Sequence, residues 1–259
     1  MKVAFCLSGN IGGMGGKNSK GAPVDFEYCY NSYYKNIISR NDTDVFIHSW
    51  STEFGKELIE LYKPVKAIIE PQKEFPDIKK LKFGGGKGTT QLQFFRIRSR
   101  AYSMQQVMRL KKQFEIDNDF IYDVVMLTRF DLIWHTPVDF SVFNMDFFYI
   151  LNWNKIDYEF KTVSKDSKNP GLINDLWFFS NSKFMNYLGD IYNELTEVNR
   201  GDPHTFIAKY LFRSDEIRNK IKYIFYEYFD CDVYRRRFER RIGDETILKG
   251  DFTIIPGVY

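Results

Sequence analysis

Arg129 and Asp131 stand two positions apart at the end of the run Tyr122-Asp123-Val124-Val125-Met126-Leu127-Thr128-Arg129-Phe130-Asp131-Leu132-Ile133. If the apolar strand persists through them, both side chains point to one face. A fixed cation beside a carboxylate able to hold a hard metal ion suits a diphosphate and its divalent cation; a strand-end salt bridge would use the same residues. A second acid, Asp175, stands in Asn174-Asp175 just before the apolar run Leu176-Trp177-Phe178-Phe179. Beside such a run its pKa is expected to rise, as a general base requires. A helix cap or turn is the competing reading. Ser8-Gly9-Asn10 closes a first apolar run and is followed by Ile11-Gly12-Gly13-Met14-Gly15-Gly16-Lys17. Small residues let backbone N–H groups approach a phosphate or nucleoside. The glycines lack the lysine-serine ending of a P-loop and open no clear helix, so a flexible loop reads equally well. His48 closes Asp44-Val45-Phe46-Ile47-His48-Ser49-Trp50, either at the same sheet edge as Ser8 or as a satisfied structural histidine.

These residues need a frame that gathers strand ends. Short apolar runs at 2–7, 44–50, 65–70, 124–127, 147–151 and 221–226 predict strands, the fourth reaching Asp131 if it persists through Arg129. Helical spacing over 25–39, 53–62, 91–114 and 182–198 predicts the intervening helices, with another opening at Asp202-Pro203-His204. Asp202 is a good N-cap and Pro203 a good first helical residue, which would leave His204 in the first turn. The alternation predicts an α/β fold: a mixed, mostly parallel Rossmann-like sheet flanked by helices, with ligands at the carboxyl ends of the strands. The expected organisation is one compact domain in two halves, 1–135 and 136–259, the second with a helical C-terminal part. Arg96, Arg98, Arg100 and Arg109 stud the 91–114 helix. Most read as solvated, and Arg98, near its start, is the one assigned to reach a diphosphate.

Composition narrows the classes. A net charge of +3 is too small to imply nucleic-acid binding. Arg235-Arg236-Arg237 with Arg240 and Arg241 is followed by Asp244-Glu245 and reads as an acid-paired surface. No apolar run approaches a membrane span, and the N-terminus has no signal-peptide design. Cys6, Cys29 and Cys231 fit neither a disulfide framework nor a zinc site and suit a reducing cytosol.

Taken in order, Leu7-Ser8-Gly9-Asn10, Asp44-Val45-Phe46-Ile47-His48-Ser49-Trp50, Tyr122-Asp123-Val124-Val125 with Thr128-Arg129-Phe130-Asp131-Leu132, and Asn174-Asp175 resemble a group of GT-A-like glycosyltransferases from bacterial, viral and phage genomes. Members begin with a "CLSGQ-R" strand, carry "DVFIHTW", and place "YD-V-R-R-DL" at the metal motif. The resemblance covers roughly residues 1–180. It implies transfer of a hexosyl or pentosyl group from a nucleotide-diphosphate sugar to a glycan or other hydroxyl acceptor, in bacterial cytosol or infected-host cytoplasm. Residues 1–135 would be the donor half and 136–259 the acceptor side. Arg129-Phe130-Asp131 stands where a DXD motif would be, so one metal carboxylate is missing. Asp131 would be the principal ligand to Mn2+ or Mg2+, and His204 the late histidine ligand. Ser8, Gly9, Asn10, His48, Arg98 and Arg129 would bind the nucleotide sugar. Asp175 would be the acceptor-side base if the reaction inverts, and would position the acceptor or stabilise the cationic sugar if it retains. Arg in place of the first acid also permits a metal-independent course in which Arg129 neutralises the departing diphosphate. Asn10 stands where the family has Gln. A non-catalytic glycan- or nucleotide-binding module on the same fold is the alternative.

Overall fold

The computed structural model describes residues 1–11, 25–80, 90–152, 173–195, 203–226 and 229–234. The Gly12–Gly16 stretch, 81–89 with its glycines, 153–172, Asp202 and the Arg235–Arg241 cluster lie outside the described residues.

Seven strands form the main sheet: β1 (Lys2–Gly9), β2 (Asp42–Ser49), β3 (Lys66–Ile69), β4 (Val124–Thr128), β6 (Phe148–Asn152), β7 (Trp177–Ser180) and β8 (Ile221–Tyr226), in the order β3-β2-β1-β4-β7-β6-β8. All run the same way except β7, which is antiparallel to β4 and β6. A two-stranded antiparallel sheet pairs β5 (Leu132–Trp134) with β9 (Cys231–Val233). The fold is the expected mixed, mostly parallel α/β domain.

The strands are apolar throughout because both faces are covered. In β1, Val3, Phe5 and Leu7 pack into one core, and Ala4 and Cys6 into the other, the period-two alternation of a strand. The first core receives α1 (Phe26–Asn36) and α2 (Gly55–Tyr62) through Tyr33, Leu58 and Tyr62. The second receives α3 (Gln91–Asp117), α4 (Ser182–Gly189), α5 (Pro203–Leu211) and, through Ile217, α6 (Asp215–Arg218). α3 starts at a capping box in which Thr90 Oγ1 accepts from Gln93 N and Gln93 Oε1 accepts from Thr90 N. Its buried positions Phe94, Ile97, Ala101, Met104, Met108, Lys111 and Glu115 alternate steps of three and four, so one stripe faces the sheet for the length of the helix.

Two expectations change. The strand begun at Val124 does not persist through Asp131 but ends at Thr128, where the β4–β7 ladder stops at the Thr128–Trp177 pair. Phe130 and Asp131 form a turn, with Phe130 buried against Tyr62 at 6.0 Å, and the chain resumes as β5. The expected 182–198 helix is, over its described part, α4 followed by a 3-10 turn at Asp190–Glu194, and 196–198 lie outside the described residues. α4 ends at Gly189, where an added Cβ would lie 2.8 Å from Met108 Cβ; the close approach to α3 requires glycine.

Candidate functional site

The carboxyl ends of β1 and β4 and the start of β7 lie on one rim of the sheet, since Leu7 pairs with Thr128 and Thr128 with Trp177. β1 ends at Gly9 with φ 116°, and no described residue lies within 4 Å of where its Cβ would be. The backbone therefore demands glycine. Ser8 is buried, its hydroxyl 3.4 Å from Thr128 O. Asn10 is exposed; its side-chain oxygen accepts from Ser51 Oγ at 3.4 Å, and the same Ser51 Oγ accepts from Ile11 N.

Four charged side chains converge above this rim. Arg129 clasps Asp131 with both ends of its fork, Nε to Oδ1 at 2.8 Å and NH2 to Oδ2 at 2.6 Å, the bidentate geometry that a planar guanidinium favours. The remaining Arg129 nitrogen, NH1, lies 3.6 Å from Asp175 Oδ1. Arg100, from α3, donates through NH1 to Ser8 O at 3.1 Å and Ser8 Oγ at 2.6 Å, and through NH2 to Asp175 O at 3.1 Å. Its Nε is 4.0 Å from Asp175 Oδ2. His204, in the first turn of α5, places Nδ1 3.1 Å from Ile173 O and 3.8 Å from Asp175 Oδ1. The Arg129 and Asp131 side chains are 20% and 12% exposed, and the Asp175 side chain 13%, so the cluster is largely desolvated yet reachable.

The surroundings set the charges. Burial pushes the Asp175 carboxyl up, but Arg129, Arg100 and His204 outweigh it and hold the group below its ordinary 3.8. The pKa rise expected for a base is thus reversed: Asp175 is a held carboxylate. Burial lowers Arg100 to about 10 against the pull of Asp175. Burial also pushes Arg129 down, but the Asp131 and Asp175 carboxylates outweigh that and leave it raised. Among the described residues, two guanidinium cations and two carboxylates face one another here.

The structure gathers Ser8, Gly9, Arg129, Asp131, Asp175 and His204 of the residues singled out from sequence, with Asn10 at the margin. It places two elsewhere. His48 is wholly buried beneath the rim, Nδ1 2.7 Å from Ser103 Oγ and Nε2 3.0 Å from Glu70 Oε1, with its ring edge-on to Trp50 at 4.7 Å. Burial lowers its pKa from the ordinary 6.5, against the pull of Glu70. Its satisfied contacts match the structural reading; any part in a nucleoside pocket would be as a supporting wall. Arg98 pairs with Asp77 and lies over the Phe75 ring at 5.1 Å. Arg100, two residues on, is the arginine that reaches the cluster. Arg98 and Arg100 flank Ile97 and Ala101 of the α3 stripe on opposite sides, and only Arg100 reaches the end of β1 and the residue before β7.

As arranged, the donor set fits a divalent cation poorly. Both Asp131 oxygens are taken by Arg129, and Asp175 faces two guanidiniums and an imidazole. Among the described residues no three carboxylate, imidazole or thiol groups come together as a metal site. No helix among the described residues is long and apolar enough to cross a membrane. Comparison of the chain with models of known protein families found no match, and none was found among curated proteins.

Proposed function

We propose that the protein is a glycosyltransferase that moves a sugar from a nucleotide-diphosphate donor to an acceptor hydroxyl. The observation that carries this reading is the convergence of Arg100, Arg129, Asp131 and Asp175 on the rim that holds the carboxyl ends of β1 and β4, the place where open α/β sheets take ligands. The lack of a side chain at Gly9 lets a diphosphate or nucleoside approach the backbone closely there. The departing diphosphate is an anion, and preorganised guanidinium groups stabilise it without reorganising at the moment of bond cleavage. Arg129 supplies that cation, with NH1 as the edge left off Asp131. Arg100 braces Ser8 and Asp175 against each other across the rim.

Asp175 stays ionised in this arrangement. In an inverting reaction it would accept the acceptor's hydroxyl proton as the bond to the sugar forms; in a retaining one its charge would face the cationic sugar. The carboxylates already face the guanidiniums, so an arriving diphosphate competes with them for those cations. A Mn2+ or Mg2+ donor complex would require the Arg129–Asp131 pair to open and Asp131 to turn to the metal.

The second reading is a non-catalytic nucleotide- or glycan-binding module, favoured by the depressed pKa of Asp175, which makes it a weak base. A thermal-shift panel of UDP, GDP, CDP, ADP and TDP, each with and without manganese, separates the cases. One diphosphate that raises the melting temperature, together with donor hydrolysis, supports the transferase. Stabilisation without hydrolysis supports the binding module, and no shift with any diphosphate sinks the nucleotide-sugar reading.

A further inference from the structure

α1 turns a polar face toward the segment that carries the site. Ser32 Oγ accepts from Trp134 N at 3.1 Å, and Asn36 Nδ2 donates to Trp134 O at 2.6 Å. Between them, the Tyr33 hydroxyl donates to Arg129 O at 2.6 Å and lies 3.0 Å from Thr128 Oγ1. Tyr33 is wholly buried, its ring edge-on to Phe5 at 5.1 Å. A phenylalanine would fill the same space without burying a hydroxyl, and a buried hydroxyl is costly unless its bonds offset the loss of water. The carbonyl it reaches is the first beyond β4, just where the ladder to β7 stops. The carbonyl on the other side of the turn, Asp131 O, accepts from Tyr234 N at 2.8 Å. The Arg129-Phe130-Asp131 turn is thus held at both ends from outside the main sheet, with Phe130 anchored in the core between.

We infer that Tyr33 is a positioning residue: its hydroxyl fixes the backbone of Arg129 and so aims the guanidinium at Asp131 and Asp175. The importance of that aim for ligand binding rests on the function proposed for the same site; the positioning itself does not. The phenol suits the task because burial keeps its proton in place far above the ordinary tyrosine range, leaving it a constant donor. Its position on α1 also gives the turn a rigid outside reference, tied to Trp134 by the two neighbouring bonds.

The test reads Arg129 directly, with no nucleotide present. In NMR spectra of the arginine side chains, the Arg129 Nε–Hε signal is identified by its loss in Arg129→Lys. In the native protein it should exchange slowly with solvent, since Nε and NH2 both bond Asp131. Tyr33→Phe, folded by circular dichroism, should exchange that proton at least about tenfold faster, a loss of protection equal to one hydrogen bond's worth of free energy. Ser32→Ala removes a bond from the same helix to Trp134 and touches no atom of Arg129, so it should leave the rate nearly unchanged. Unaltered exchange in Tyr33→Phe, or equal acceleration in Ser32→Ala, overturns the inference. The native protein supplies a check free of substitutions: the Tyr33 hydroxyl proton should be protected enough to observe, and its rapid exchange would also overturn it. The absence of any diphosphate binding would remove the proposed function and leave these outcomes as they stand.

Discussion

Replacing Asp131 by asparagine separates the two ways in which the site could hold a diphosphate. In the resting structure Asp131 takes two of the three Arg129 nitrogens, so it competes with any anion for that cation. A carboxylate and a phosphate oxygen on opposite edges of one guanidinium lie roughly 5 Å apart. At an effective dielectric constant near 20 their repulsion is about 3 kcal/mol, and with the partial exposure of this site about half that. The substituted amide would keep one acceptor for Arg129, and the looser guanidinium would give back up to about 1 kcal/mol. The net expectation is diphosphate binding roughly two- to thirteen-fold tighter in Asp131→Asn, measured by titration calorimetry in EDTA. If Asp131 is instead the main protein ligand of a divalent cation, the same variant binds more weakly and loses its response to manganese. Weaker metal-free binding in Asp131→Asn would refute the electrostatic argument outright.

Three further expectations follow from the geometry. Asp175→Asn should cut turnover at least about 100-fold and lower the melting temperature, since Arg129 and Arg100 lose a facing carboxylate. The native carboxyl is held low, so any acid limb of kcat/KM that it sets lies below 3.8; near-native turnover in the variant would remove its assigned role. His48 has a folded pKa below its ordinary 6.5, so the unfolded chain binds the extra proton and acidification favours unfolding. Native stability should fall as pH drops through 6.5 toward the folded value, and His48→Gln, less stable at pH 7.5, should show a flatter dependence there; parallel curves would contradict this. Lys111, wholly buried, donates to Glu115, Ser182 and Asn186 at 2.7–2.9 Å. Lys111→Met should therefore cost about 3–5 kcal/mol in urea unfolding by stranding Glu115, with part regained in Lys111→Met/Glu115→Gln, and a loss under 1 kcal/mol would show the network to be dispensable.

The frame was legible because its signals are local. Unbroken apolar runs at 2–7 and 124–127 can only be strands covered on both faces, and the alternation with amphipathic stretches leaves few arrangements. The end of β4 was not legible: Arg-Phe-Asp continues the strand pattern, and what stops it is a phenol from α1 and the last rung of a strand about 50 residues later. Arg98 and Arg100 differ only in which side of a buried stripe they flank, and the stripe does not say which side meets the rim. The sign of the Asp175 shift was equally hidden, since Leu176 and Trp177 announce burial while the opposing cations come from positions 100, 129 and 204. The buried pair Lys111 and Glu115 did carry a signal, two opposite charges one turn apart on an otherwise apolar stripe.

The single reversed strand has a consequence for how such a protein can change. β6 runs toward the rim and ends there at Asn152, while β7 runs away from it and starts there at Trp177. Strands of opposite direction thus deliver their termini to one place: Arg129 follows the end of β4, and Asp175 precedes the start of β7. A change in the packed body of either strand can be absorbed without touching the charged cluster, and a change at either rim terminus without moving a rung of the ladder.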